Sequence, residues 1–509
     1  MRIALLPIDE RPVNTCLAVD VGAIAGAQIE IPPPDLLPKM RVPGQADLLG
    51  SWLLDTAAHP ATDAAVVSVD MLVHGGLIAA RTTPDLTTST LARLDILRRL
   101  RAARPTLPMS AVSLVTRASD SYSPDEEPAY WEHYGRELHR YGTALHRAFE
   151  AEHSDGSLGP LQHEIDHLDG LIPAAVRTDF QTRRLRNHII NLECLRLLAD
   201  GVIDPLLITA DDTATHSSGS LEQTWLRHWS RAIPRVGHLL MYPGADEVDA
   251  VLTARAITDF HRQEVSFAVA CYTPDGLHRV AKYENQPVGV SVDRQIAAAG
   301  AHLAVDGKPD IRLIVHPPDP NGGDWFGGRP VDDPVAVVGT VALVKRSIDS
   351  GAKVTLADVR YGNGSDPLLV HALQDEGLLR SLTAYAGWNT AGNTIGTTVA
   401  VGVCAVIGQR TGTYDDIAAR RLLLHRVLED HYYQTIIRTQ LAATNENYRP
   451  GLLTPAVQSA YLAEVTDALN LALKTLAQCE EWEVRDVALP WNRIFEIDFR
   501  LVSTVRGDG

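Results

Sequence analysis

The residues best suited to chemistry are two adjacent carboxylates, Asp211 and Asp212, which close the apolar run Leu206-Leu207-Ile208-Thr209-Ala210. Neighbouring carboxyls resist ionising together, so one keeps its proton toward neutrality while the other carries the charge. Glycoside hydrolysis uses such a pair, and one variant takes the substrate's own acetamido group as nucleophile. On that reading Asp212 is the general acid/base and Asp211 orients the acetamide. The competing reading is a helix cap, because Asp-Asp-Thr ahead of a helix is good N-cap chemistry.

Other apolar runs end in similar groups. Asp9-Glu10-Arg11-Pro12-Val13-Asn14 follows the first run, and Ser68-Val69-Asp70 leads into His74-Gly75-Gly76. Asp246 and Glu247 follow Tyr242-Pro243-Gly244, and residues 358–366 combine Asp358, Asn363 and Asp366 with an aromatic and glycines. Ala386-Gly387-Trp388-Asn389 continues to Asn393. Acids and amides bind hydroxyls and an aromatic face packs on a sugar ring. Asp9, Glu10, Arg11, Asn14, Asp70, Asp246, Glu247, Asp358, Asn363, Asp366, Trp388, Asn389 and Asn393 are therefore the expected substrate-binding residues, serving a small-molecule or oligosaccharide substrate with no cofactor and no metal.

Two rival functions use the same residues. In a metal-dependent lyase, isomerase or hydrolase, Asp70, Asp211, Asp246 or Asp358 would hold a divalent cation, joined by His74 or His216. In a non-catalytic sugar-binding protein the acids would only recognise hydroxyls. The chain has no G-x-S-x-G, Walker A, H-E-x-x-H or strand-borne G-x-G-x-x-G motif, so serine hydrolysis, ATP hydrolysis and NAD chemistry lack support.

Apolar runs expected as strands lie at 2–8, 27–32, 65–70, 110–116, 205–210, 238–242, 266–272, 311–316, 353–358 and 383–387. Segments with helical periodicity separate them, which specifies an α/β fold with a mainly parallel sheet. So many units in one run favour a (β/α)8-barrel-like domain over residues 1–408. Two Rossmann-like α/β domains, dividing near 245–265, are the alternative. An insertion at 118–200 reads as a lid or substrate wall. Residues 409–509 read as a mainly helical region, with helices at 412–440 and 454–480 and a short strand within 487–505.

A formal net charge of −17 argues against nucleic acid as a partner. No apolar run approaches the roughly 20 residues needed to span a bilayer, so no membrane partner is expected. The five cysteines form no C-x-x-C pair and the chain opens on a strand, which together lead to a cytoplasmic expectation. Nothing in the sequence specifies an oligomeric state.

The motifs at residues 7–14, 68–72, 243–247 and 386–394 resemble a bacterial family known as domain of unknown function 4127, across nearly the whole chain. Asp211-Asp212 is also similar to the catalytic pair of glycoside hydrolase family 84, the retaining β-N-acetylglucosaminidases. That resemblance implies a (β/α)8 barrel and the substrate-assisted route, with the loop at 358–366 as a later binding segment. The opening Asp9-Glu10-Arg11-Pro12 departs from that family's glycine-rich start.

Overall fold

The computed structural model describes residues 1–154, 156–233, 236–305, 308–326, 330–448, 453–476 and 481–504. The ends of the segments expected at 454–480 and 487–505 lie outside those residues.

The strands are mostly runs rich in Val, Leu, Ile and Ala, buried on both faces as parallel strands require, except at 28–30 and 302–303 on the sheet edges and along 266–271, which are partly or fully exposed. In the first sheet these are β1 (Arg2–Leu6), β2 (Gln28–Glu30), β3 (Ala64–Ser68), β4 (Met109–Val115), β5 (Leu206–Ala210) and β6 (Leu239–Pro243). All pair in parallel, in the order β2-β1-β3-β4-β5-β6. The second sheet contains β7 (Ser266–Cys271), β8 (His302–Leu303), β9 (Ile311–His316), β10 (Lys353–Asp358) and β11 (Ala384–Ala386). Its order, β8-β7-β9-β10-β11, repeats the pattern of the first.

Both sheets are open, and the expected (β/α)8 barrel does not form. Barrel closure needs each new strand to add on the same side of the last. Here β1 takes β2 on one side and β3 on the other, and β7 does the same with β8 and β9. Winding in both directions leaves two free edges and a topological switch point in each sheet.

The chain divides into two compact units. The first comprises Met1–Glu10, Ala27–Ala256 and Tyr283–Gln286, and the second Arg11–Gly26, Ile257–Lys282 and Pro287–Gly509. Residues 409–509, expected as a region of their own, are part of the second unit: Leu428, Tyr433, Tyr461, Leu469 and Phe499 share a core with Ile314, Val354, Leu356 and Tyr385. A two-stranded antiparallel sheet, β12 (Trp482–Ala488) and β13 (Asp498–Ser503), ends this part.

The helix Ala391–Thr411 packs on β9, β10 and β11. It is long and apolar enough to cross a bilayer, contrary to the reading of the sequence, yet its apolar stretch is wholly buried. The expected insertion is shorter than 118–200, because the helix Ala174–Ala199 is the ordinary crossover packed on β4 and β5. The helices Trp131–Glu152 and Gly159–Leu171 are the added part, with a satellite core of Trp131, Leu138, Leu168, Ile172 and Phe180.

Candidate active site

Asp9, Asp70, Asp211-Asp212 and Asp246 follow the C-terminal ends of β1, β3, β5 and β6. The strands run parallel, so these acids share one edge of the first sheet, where doubly wound folds bind ligands. Asp358 follows β10 in the second unit.

The Asp pair is held unsymmetrically. Arg81 Nη2 pairs with Asp211, and Arg81 Nη1 reaches Glu126 at 3.1 Å and Glu127 at 3.9 Å. Arg117 Nη1 donates to Asp212 at 2.6 Å, its Nε to Glu127 at 3.2 Å and its Nη2 to Glu126 at 3.0 Å. Two guanidiniums therefore face four carboxylates, an excess of negative charge that favours retaining a proton. Burial pushes the Asp212 carboxyl up and the charge of Asp211 adds to this, while Arg117 opposes it. The Asp212 side chain is 30% exposed against 9% for Asp211, so Asp212 is the member a substrate can reach.

The backbone presents this pair deliberately. The Asp211 N–H donates to the Val115 carbonyl at 3.2 Å, extending the β4–β5 pairing by one residue. Asp212 then turns into the left-handed region at φ 31, uncommon for a residue with a Cβ and concentrated at functional sites. Neither acid caps the following helix, Ser218–Ser230. Ser217 does so, accepting the Ser220 N–H at 3.0 Å.

Asp70 sits in the first turn of the helix Val69–His74, capped by Ser68. It accepts the Leu114 N–H at 2.9 Å, and burial, with Asp211 adding, pushes its carboxyl up to about 7. His74 is buried and driven well below the usual imidazole range by burial and by Arg186 and Arg93. Gly75 and Gly76 serve the turn: Gly75 has φ 82, and its carbonyl accepts the Gly44 N–H at 2.9 Å. His216 pairs with Glu150 at 2.9 Å. Among the described residues, no group of three or more His, Cys, Asp or Glu side chains is arranged to hold a metal ion.

Two expected ligands of the first unit brace loops. Glu10 accepts the Met40 N–H at 2.6 Å, and Glu247 accepts the Ala245 N–H at 3.1 Å across the turn at Gly244. Asp249, which the sequence reading missed, accepts the Ile8 N–H at 2.9 Å and so joins the first turn of the helix Val248–His261 to the loop after β1. Burial, reinforced by Asp9, Asp246 and Glu247, holds its carboxyl well above the ordinary range. Arg81, Arg117, Glu126 and Glu127 were also missed. Only Arg117, two residues beyond β4, stands where a strand-end search would find it. A cavity of about 410 Å³ is lined by Thr82 and Pro128, neighbours of Arg81 and Glu127, and by Arg41, Tyr130 and Asp179.

The second unit uses its expected residues mainly for structure. Asp358 accepts the Asp366 N–H at 2.8 Å and the Tyr385 hydroxyl at 3.2 Å, and burial pushes it up to about 6. Asp366 caps the helix Pro367–Asp375 and lies 3.1 Å from His316. Trp388 is buried beside Phe495, ring centres 5.6 Å apart, so it is core and not an exposed sugar platform. Asn363 and Asn389 take φ near 60, and the Asn363 N–H donates to the Asn389 carbonyl at 2.9 Å. Asn393 lies buried in the first turn capped by Thr390. Arg11 stacks over Trp491 at 4.4 Å and faces Glu496, and Asn14 is buried in the helix Pro12–Ile24. Sequence reasoning missed the π-helix Val427–Ile437, whose Asp430 accepts the Gly387 N–H at 2.9 Å.

One solved structure with some similarity comes from Mycobacterium smegmatis, in complex with beta-D-fucofuranose. It is 12% identical over 74% of this chain and 84% of its own, with a TM-score of 0.16, an overlap too loose to bear on fold or function. No curated protein matches the sequence. The model of the family described as protein of unknown function (DUF4127) matches residues 3–500, and the chain belongs to that family.

Proposed function

We propose that this member of the DUF4127 family is a glycoside hydrolase that works from the C-terminal edge of its first sheet. One observation carries the reading: adjacent carboxylates sit in unequal environments, Asp211 enclosed by Arg81 and Asp212 partly exposed with its carboxyl raised. Unequal carboxyls divide the roles of acid/base catalysis between them. Asp212 protonates the leaving oxygen and later activates water. Asp211, fixed by Arg81, orients the substrate.

In its finer form the reaction is the retaining, substrate-assisted cleavage of an N-acetylhexosaminide. There Asp211 accepts the acetamide N–H while the acetamide oxygen attacks the anomeric carbon, and Asp212 gives its proton to the departing oxygen. Adjacent residues suit this route, because the substrate supplies the nucleophile and no second carboxylate is needed across the sugar ring. Asp70, its carboxyl raised to about 7, keeps its proton below that pH and then adds a hydrogen-bond donor at the same edge. The test is a panel of nitrophenyl glycosides, N-acetylhexosaminides included, assayed with native protein and with Asp211→Asn and Asp212→Asn. Full activity in both variants would remove the pair from the mechanism.

A further inference from the structure

We infer that the second unit carries a separate binding site for a neutral polyhydroxylated small molecule, a mono- or disaccharide, at the C-terminal ends of β9 and β10. This does not rest on the hydrolase activity proposed above.

The site is a cavity of about 840 Å³ lined by Lys282, Asp319, Asn321, Asp324, Asp333 and Arg360 among others. That volume lies in the range of small-molecule pockets. Its walls are tied together. The Asp319 N–H donates to the Arg360 carbonyl at 3.0 Å, the Gly362 N–H to Gly323 at 2.9 Å, and the Trp325 N–H to Gly362 at 3.0 Å. Trp325 Nε1 donates to the Ser365 carbonyl at 2.9 Å, fixing the loop after β9 to the loop after β10.

The observation that points to a ligand is Arg360. Its side chain is 1% exposed, and its Nη2 serves Asp319 and, at 2.7 Å, Asp333. Its Nε and Nη1 are buried and have no hydrogen-bond partner. A guanidinium stays charged, and unmatched buried donors are costly, so a group entering the cavity gains by accepting from them.

The lining chooses the class of ligand. Both donors, Arg360, Lys282 and Asn321, and acceptors, Asp319, Asp324, Asp332 and Asp333, line the cavity, with Lys282 paired to Asp324 at 2.5 Å. An oxyanion would meet four carboxylates, and a metal ion would meet a guanidinium and an ammonium. Hydroxyl groups both donate and accept, and carry no charge to be repelled. The surroundings therefore favour a sugar.

The experiment is calorimetric titration of the full chain with glucose, galactose and mannose, and in parallel with inorganic phosphate and with calcium chloride. We expect at least one neutral sugar to bind at one per chain. Lys282→Met, at a half-exposed position, should weaken it at least tenfold, Arg360→Lys should weaken it further, and Asp212→Asn should leave it unchanged. Loss of binding in Asp212→Asn with retention in Lys282→Met would place the sugar in the first unit and overturn the inference. Tighter binding of phosphate or calcium than of any sugar, or no sugar binding to the native chain, would overturn it too.

Discussion

Replacing Asp70 by Asn should make the molecule lose less stability as the pH rises. Asp70 is buried, keeps one hydrogen bond from the Leu114 N–H, and has its carboxyl raised from an ordinary 3.8 to about 7. The folded state therefore holds a proton that the unfolded chain releases. Stability from this group is fully present below pH 3.8 and is lost as pH rises through about 7. At about 1.4 kcal/mol per pH unit, the interval between about pH 5 and about pH 8 costs the native protein about 3 kcal/mol. Asn keeps an oxygen for the Leu114 N–H and does not titrate. Urea unfolding of both proteins at the two pH values should show the variant gaining about 3 kcal/mol relative to the native chain on going from about pH 5 to about pH 8. A difference that stays constant across that range would refute the buried-acid account of Asp70.

Three further outcomes follow from the geometry. Gly75→Ala should cost at least about 2 kcal/mol in thermal unfolding, because φ is 82 and the added Cβ would lie 2.4 Å from the Gly44 carbonyl; an unchanged transition would contradict the turn role. Trp388→Ala should destabilise by about 3–5 kcal/mol, as a core residue does, whereas lost sugar affinity at full stability would restore its binding role. Arg117→Met should destabilise by about 3–5 kcal/mol, since it leaves Glu126, Glu127 and Asp212 facing one another. By removing the charge that lowers Asp212 it should also move the acid-dependent limb of any pH–rate profile to higher pH; a limb that stays in place would dissociate Arg117 from Asp212.

The strands were legible because a parallel sheet leaves plain apolar runs: the ten strands expected in the α/β part are present, and among the described residues the two-residue β8 and the antiparallel β12 escaped. Their order was not legible. Whether β3 adds beyond β1 or beyond β2 depends on contacts between distant segments, and both choices give the same alternation of elements. The helix Ala391–Thr411 was not among the helices expected from the sequence: it is rich in glycine and threonine, and Gly402 lets it approach Ile311 and Thr355 of the sheet closely. In the candidate site the Asp pair and its strand-end position could be read directly. Its ion partners could not, since Arg81 and Asp211 stand 130 residues apart and Arg117 and Asp212 stand 95 apart. Asp366 misled because an acid before proline suits a ligand and a helix cap equally, and here it caps.

The most direct test of the central claim is the pH–rate profile of nitrophenyl N-acetylhexosaminide hydrolysis by the native chain and by Asp212→Asn. The account predicts turnover that depends on a protonated carboxyl above the ordinary aspartate range, falling about 10²–10⁴-fold in the variant. No release from any nitrophenyl glycoside by the native chain, or an unchanged profile in Asp212→Asn, would contradict it.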